Sequence, residues 1–126
     1  MKFTPDKMDT QSVTGTGVGW IAVDGKKYEH SVVLSSDGLL EPWNCTSFKD
    51  LSPEHLTALA QHDCEVFLLG TGNSLQFAHP AWFAPFMTKG IGYESMRTDA
   101  AARTFNVLAN EGRKVLVALI QETPEN

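Results

Sequence analysis

Cysteine is scarce in this chain: Cys45 and Cys64 are the only two in 126 residues, too few for a disulfide framework. A domain of this length buries roughly two thirds of its unfolded surface and needs no staples. Both thiols are therefore expected to be reduced, in a reducing compartment. Long apolar runs are missing too. The longest, such as Val115 to Ile120, is far shorter than the ~20 residues that span a bilayer. The opening residues, Met1-Lys2-Phe3-Thr4-Pro5-Asp6-Lys7, precede no apolar core and include an acid, which argues against a secretory or mitochondrial leader. A cytoplasmic location is the resulting expectation.

Basic clusters are equally thin. Lys26-Lys27 and Arg113-Lys114 are the longest basic runs, and the net charge is −5, so no nucleic-acid footprint is visible. The histidines His30, His55, His62 and His79 match no zinc spacing with the two cysteines. There is no Gly-x-Ser-x-Gly elbow, P-loop lysine or complete dinucleotide fingerprint. No catalytic residue, metal ligand or cofactor is assigned on these grounds. Oligomeric state is equally unmarked.

What is present is a pattern of short elements. β-Branched and aromatic residues suggest a strand from about Gly17 to Val23. Asp24-Gly25 suits the two positive-φ positions of a type I′ turn, and a second strand returns over 26–35. Asp37-Gly38 turns again into Leu39 to Trp43, completing an antiparallel meander. Ser52 and Pro53 then suit the N-cap and first position of a helix over 53–62, with Leu56, Leu59 and Ala60 at helical spacing. A buried strand over 64–69 follows. Pro80 opens a helix that Pro85 should break before Gly90. A strand over 91–96 leads to a helix capped by Thr98, with Ala101, Ala102, Phe105, Leu108 and Ala109 inward and Gly112 as its stop. The nearly continuous apolar segment 114–120 reads as a central strand.

The order is an N-terminal antiparallel meander followed by α-β-α-β-α-β. This implies an α/β fold with parallel neighbours, one domain over 1–126, and loose ends at 1–12 and 121–126. Trp20, Trp43, Trp82 and Phe83 are read as core cover, with a partner anchor as the alternative.

Topology supplies the one candidate site. Strands 64–69 and 91–96, if parallel neighbours, bring Gly70, Thr71, Gly72 and Asn73 beside Thr98 and Asp99 on one sheet edge, where open α/β sheets bind ligands. The glycines permit close backbone approach, and the amides after Thr98 form a partial positive pole. Arg103 and Asn106 extend a polar stripe along the same helix. A plain turn, a helix cap and an Asp99–Arg103 ion pair explain the same residues without a ligand.

From Glu65 onward the chain resembles a known family. The resemblance is carried by Val66-Phe67-Leu68-Leu69-Gly70-Thr71-Gly72, by Gly90-Ile91-Gly92-Tyr93-Glu94-Ser95-Met96, by the segment from Thr98 to Leu108, and by Glu111-Gly112-Arg113-Lys114-Val115. The family is the widespread one of small α/β proteins catalogued as a domain of unknown function. It includes archaeal and bacterial proteins, a mitochondrial respiratory complex I (NADH dehydrogenase) assembly factor and an adipogenesis-associated human protein. The resemblance implies a three-layer fold with a mixed central sheet and no established enzyme activity. Phe105 stands where many relatives show tyrosine, and the Pro80–Pro85 segment is unusual.

Two functions are compatible with these observations. The first is a non-enzymatic protein-binding, assembly-factor-like role with a protein partner, supporting assembly of a respiratory or other multi-subunit complex. The second is a small-molecule or anion-binding domain, or an enzyme, using the Gly70–Gly72/Thr98 crevice.

Overall fold

The computed structural model describes residues 11–122. Among these residues there are two sheets. A small one has the order β1-β2-β3, with β1 Val13–Gly17, β2 Trp20–Val23 and β3 Lys26–Tyr28. The larger runs β5-β4-β8-β6-β7, with β4 Val32–Ser35, β5 Leu40–Pro42, β6 Val66–Gly70, β7 Gly92–Met96 and β8 Val115–Leu119. β8 is antiparallel to β4 and parallel to β6, which is parallel to β7, so the central sheet is mixed. Helices α1 (Pro53–Leu59), α2 (Ala84–Thr88) and α3 (Thr98–Asn110) complete the fold.

Strand periodicity divides the core into two halves. Leu116, Ala118 and Ile120 point into one cluster with Val33, Phe67, Leu69, Leu56 and Phe86. Val115, Val117 and Leu119 point into the other, with Val32, Leu34, Leu68, Ile21 and Phe105. One face of the central sheet is thus covered by α1 and α2, the other by α3 and the small sheet, giving three layers. β8 is buried at every position, as a strand covered on both faces must be.

Several local expectations hold. Asp24 and Gly25 have φ of 51° and 86° and close the β2–β3 hairpin. The Ser52 side chain accepts the His55 N–H, with Pro53 at the first helical position. Pro85 follows a 3₁₀ turn, Pro80–Phe83, that gives way to α2, so the helix is broken there. Gly112 has φ 83° just past α3.

The meander is the main correction. A separate strand, β1, precedes β2 and turns at Val18-Gly19, where Gly19 has φ 85°. The expected return strand over 26–35 is two strands in two sheets. β3 is an exposed edge, whereas all four residues of β4 are buried against β8 and both core halves. The break falls at Glu29-His30-Ser31, where a largely polar stretch gives way to the apolar run Val32-Val33-Leu34. Helix α1 also stops at Leu59 rather than 62.

At the two ends of the described segment, Gln11 Nε2 donates to the Ser35 and Leu39 carbonyls, and Gln121 N–H donates to buried Ser31 Oγ. The rest of the ends expected to be loose, 1–10 and 123–126, lies outside the described residues.

Candidate functional site

β6 and β7 are adjacent and parallel, so their carboxyl ends reach one edge of the sheet together. The loops that follow are bonded to each other. Thr71 N–H donates to the Met96 carbonyl at 2.7 Å, and Thr98 N–H to the Gly72 carbonyl at 3.0 Å. Gly72 N–H returns a bond to Thr98 Oγ1 at 2.9 Å, and that hydroxyl donates to the Ile120 carbonyl at 2.7 Å. Thr98 therefore does not cap α3 through its side chain. The N-cap is Arg97, and the Thr98 hydroxyl instead joins three segments of chain. Thr71 is fully buried beneath, its hydroxyl donating to the Ser74 carbonyl and accepting from Gln76 N–H.

A concavity of about 300 Å³ opens above this junction. Gly72, Asn73, Thr98 and Asp99 line it, facing Arg97 and the β1–β2 turn at Thr16 to Val18. Many of its amides are already engaged. Besides Gly72 and Thr98, the Asn73 N–H donates to Glu122 Oε1 at 3.1 Å, and Ala100 N–H to Asp99 Oδ1 at 2.8 Å. Two carboxylates thus stand at the crevice. Burial pushes the Asp99 carboxyl up, but hydrogen bonds and charge from Arg97, the Ala100 amide and the Arg103 charge together hold it below its usual range. Its oxygens lie 3.1 and 3.2 Å from the Arg97 guanidinium and 3.8 Å from that of Arg103.

The remaining site candidates separate. Gly70 ends β6, below the opening, and its Cα packs so closely that an added Cβ would sit 3.0 Å from Thr98 Cα. Arg103 and Asn106 line a neighbouring shallow groove under β1. There Asn106 behaves as a strand would. Its Oδ1 accepts Val13 N–H at 2.9 Å and its Nδ2 donates to the Val13 carbonyl at 2.8 Å, tying the small sheet to α3. Arg97, Glu122 and the Thr16–Val18 wall escaped the sequence reading. The first two carry no motif, and the third follows from the unforeseen β1.

The thiols are poor nucleophiles. Burial pushes Cys45 up to about 11, with the Asp50 charge adding to it, and burial likewise raises Cys64. Both are free and buried. Among the described residues no group of three His, Cys, Asp or Glu side chains is placed to hold a metal ion, and no helix is long and apolar enough to cross a membrane.

Comparison with known proteins gives a consistent result. The model of a family described as "Protein of unknown function (DUF498/DUF598)" matches residues 13–120. A mouse protein, NADH dehydrogenase [ubiquinone] 1 alpha subcomplex assembly factor 3, is 34% identical over 80 residues, covering 62% of this chain and 43% of the mouse protein. The zebrafish (Danio rerio) protein of the same name is 30% identical over 119 residues, 90% of this chain and 68% of its own length. The chain therefore spans less than half of the mouse relative. A crystal structure of a Bordetella parapertussis protein superposes with a TM-score of 0.83 at 34% identity, covering 89% of this chain and 96% of that one.

Proposed function

The chain belongs to the DUF498/DUF598 family, and from that premise we propose that it is a non-enzymatic, partner-binding protein of assembly-factor type, supporting the assembly of a respiratory or other multi-subunit complex. The observation that carries this reading is the likeness, across most of the chain, to proteins named as complex I assembly factors. The site chemistry supports it. Amides at the crevice are engaged within the fold, two carboxylates stand beside them, and burial raises both thiols above the usual cysteine range, against a nucleophilic role. The reading extends to a reducing, cytoplasmic compartment, supported by the two free cysteines.

Capture of the tagged chain at native expression level, followed by mass spectrometry, tests the proposal. Subunits of one multi-subunit complex should co-isolate, and deletion of the gene should leave that complex under-assembled. A chain recovered alone, with every such complex at normal level in the deletion strain, would contradict it.

A further inference from the structure

Among the described residues four strands border the two sheets, and three of them are protected against pairing. β3 presents Lys26 and Lys27, and β5 ends at Pro42. β1 is irregular between Val13 and Gly15, with both backbone groups of Val13 bonded to Asn106. Lysine, proline and bulges are the usual means of blunting an edge. β7 has none of them. Its sequence is Gly-Tyr-Glu-Ser-Met, and it pairs with β6 in unbroken register.

The ladder fixes which groups are free. Gly92 N–H donates to the Glu65 carbonyl at 3.1 Å, and the Met96 carbonyl accepts Thr71 N–H at 2.7 Å. In a parallel pair the inward groups fall on alternate residues, so Gly92, Glu94 and Met96 turn their N–H and C=O toward β6. Tyr93 and Ser95 turn theirs outward, and among the described residues no strand pairs with that side.

An apolar trough of about 410 Å³ lies along this edge. Phe77, Ala78 and Pro80 wall it, and Phe83 lies beneath with the Tyr93 ring stacked on it at 4.4 Å. Phe77 is 72% exposed. Unpaired backbone beside an apolar trough suits an extended chain, whose main chain bonds to the edge while alternate side chains enter the trough. Glu94 also borders the trough, but strand alternation turns its side chain to the face opposite Tyr93 and Ser95, over which the other side chains of an added strand lie; it is exposed and makes no ion pair among the described residues. A second copy of β7 would bring two Glu94 carboxylates near each other, a destabilising like-charge arrangement.

We propose that β7 receives, by strand addition, an extended segment of a partner protein in which apolar and basic residues alternate. The proposal rests on the partner-binding reading above and supplies that partner's chemistry.

The probe is a capped synthetic peptide of alternating Lys and Val, titrated into the full isotope-labelled chain and followed by NMR. The Tyr93 and Ser95 amides should shift and gain protection from exchange. The same peptide with Glu for Lys should bind at least about tenfold more weakly, a difference of about 1.4 kcal/mol. Glu94→Lys should invert that preference. Ser95→Pro removes an outward N–H but none of the bonds to β6, and should lose the peptide with the fold intact. Should that variant unfold, Phe77→Asp, on the exposed trough wall, takes its place. No shift at Tyr93 and Ser95 at millimolar peptide, or equal affinity for the two peptides, would overturn the proposal. A native partner that binds Ser95→Pro and Phe77→Asp as well as the parent would also overturn it while leaving the partner-binding reading intact. Failure of native capture would count against that reading alone.

Discussion

The crevice above Thr98 and the outer side of β7 lie within a few residues of each other and differ in one respect: whether their backbone hydrogen bonds are made. At the crevice, Gly72, Asn73, Thr98 and Ala100 each donate within the fold, two of them to carboxylates or a hydroxyl brought from distant parts of the chain. At the β7 edge, Tyr93 and Ser95 point their donors and acceptors away from the ladder. Topology identifies the crevice as the place where an α/β sheet binds ligands. Hydrogen-bond accounting shows that much of that place is already filled by the protein itself, while the unmarked edge retains capacity.

The largest expected effect lies at the crevice. Thr98→Val keeps the shape but leaves the Gly72 N–H and the Ile120 carbonyl without the hydroxyl, in a position only 8% exposed. A loss of about 2–4 kcal/mol should appear in urea unfolding, from two buried groups at ~1–2 kcal/mol each. A loss below ~1 kcal/mol would mean that water replaces the hydroxyl and that the junction is wetter than its burial indicates.

Gly72→Val comes next. Gly72 has φ 104°, and an added Cβ would sit 2.6 Å from the Glu122 carboxylate. Backbone strain of about 1–3 kcal/mol is expected, partly relieved if Glu122 swings away. Peptide binding at β7 should survive in the folded fraction. Loss of binding together with retained stability would reverse the comparison and return function to the crevice.

The smallest effect is electrostatic. The Asp99 carboxyl is held below its usual range, so it stabilises the fold above its unfolded pKa of about 4 and loses that contribution as pH falls through the lower folded value. Its side chain is 41% exposed, so screening keeps the effect small. As pH falls below about 4, the thermal midpoint should drop slightly more for the parent than for Asp99→Asn, and less in high salt. Identical acid profiles would show that the Arg97–Asp99–Arg103 cluster contributes nothing to stability.

Much of the architecture was legible because it is local. Asp24-Gly25, Ser52-Pro53, Pro85 and Gly112 each act through their own backbone requirements, and the structure places a turn, a cap, a break and a stop at them. The continuous apolar run of β8 likewise announced a strand covered on both faces. Sheet membership was not legible in the same way. The change from polar to apolar residues at 29–31 is compatible with one continuous strand, and what assigns β4 to the other sheet is packing against β8, roughly eighty residues further along the chain. The site behaved similarly. Adjacency of the Gly70–Gly72 loop to Thr98 followed from parallel pairing, but the direction of the Thr98 hydroxyl and the grip of Asn106 on Val13 depend on tertiary contacts across the chain. The free edge went unseen because an edge is defined by what fails to pair.

Amide hydrogen exchange on the isolated chain measures the difference between the two regions most directly. The Gly72 and Thr98 amides should exchange slowly, near the rate set by global unfolding, while those of Tyr93 and Ser95 exchange quickly although they lie within a strand. Rapid exchange at Gly72 and Thr98, or strong protection at Tyr93 and Ser95, would contradict the account.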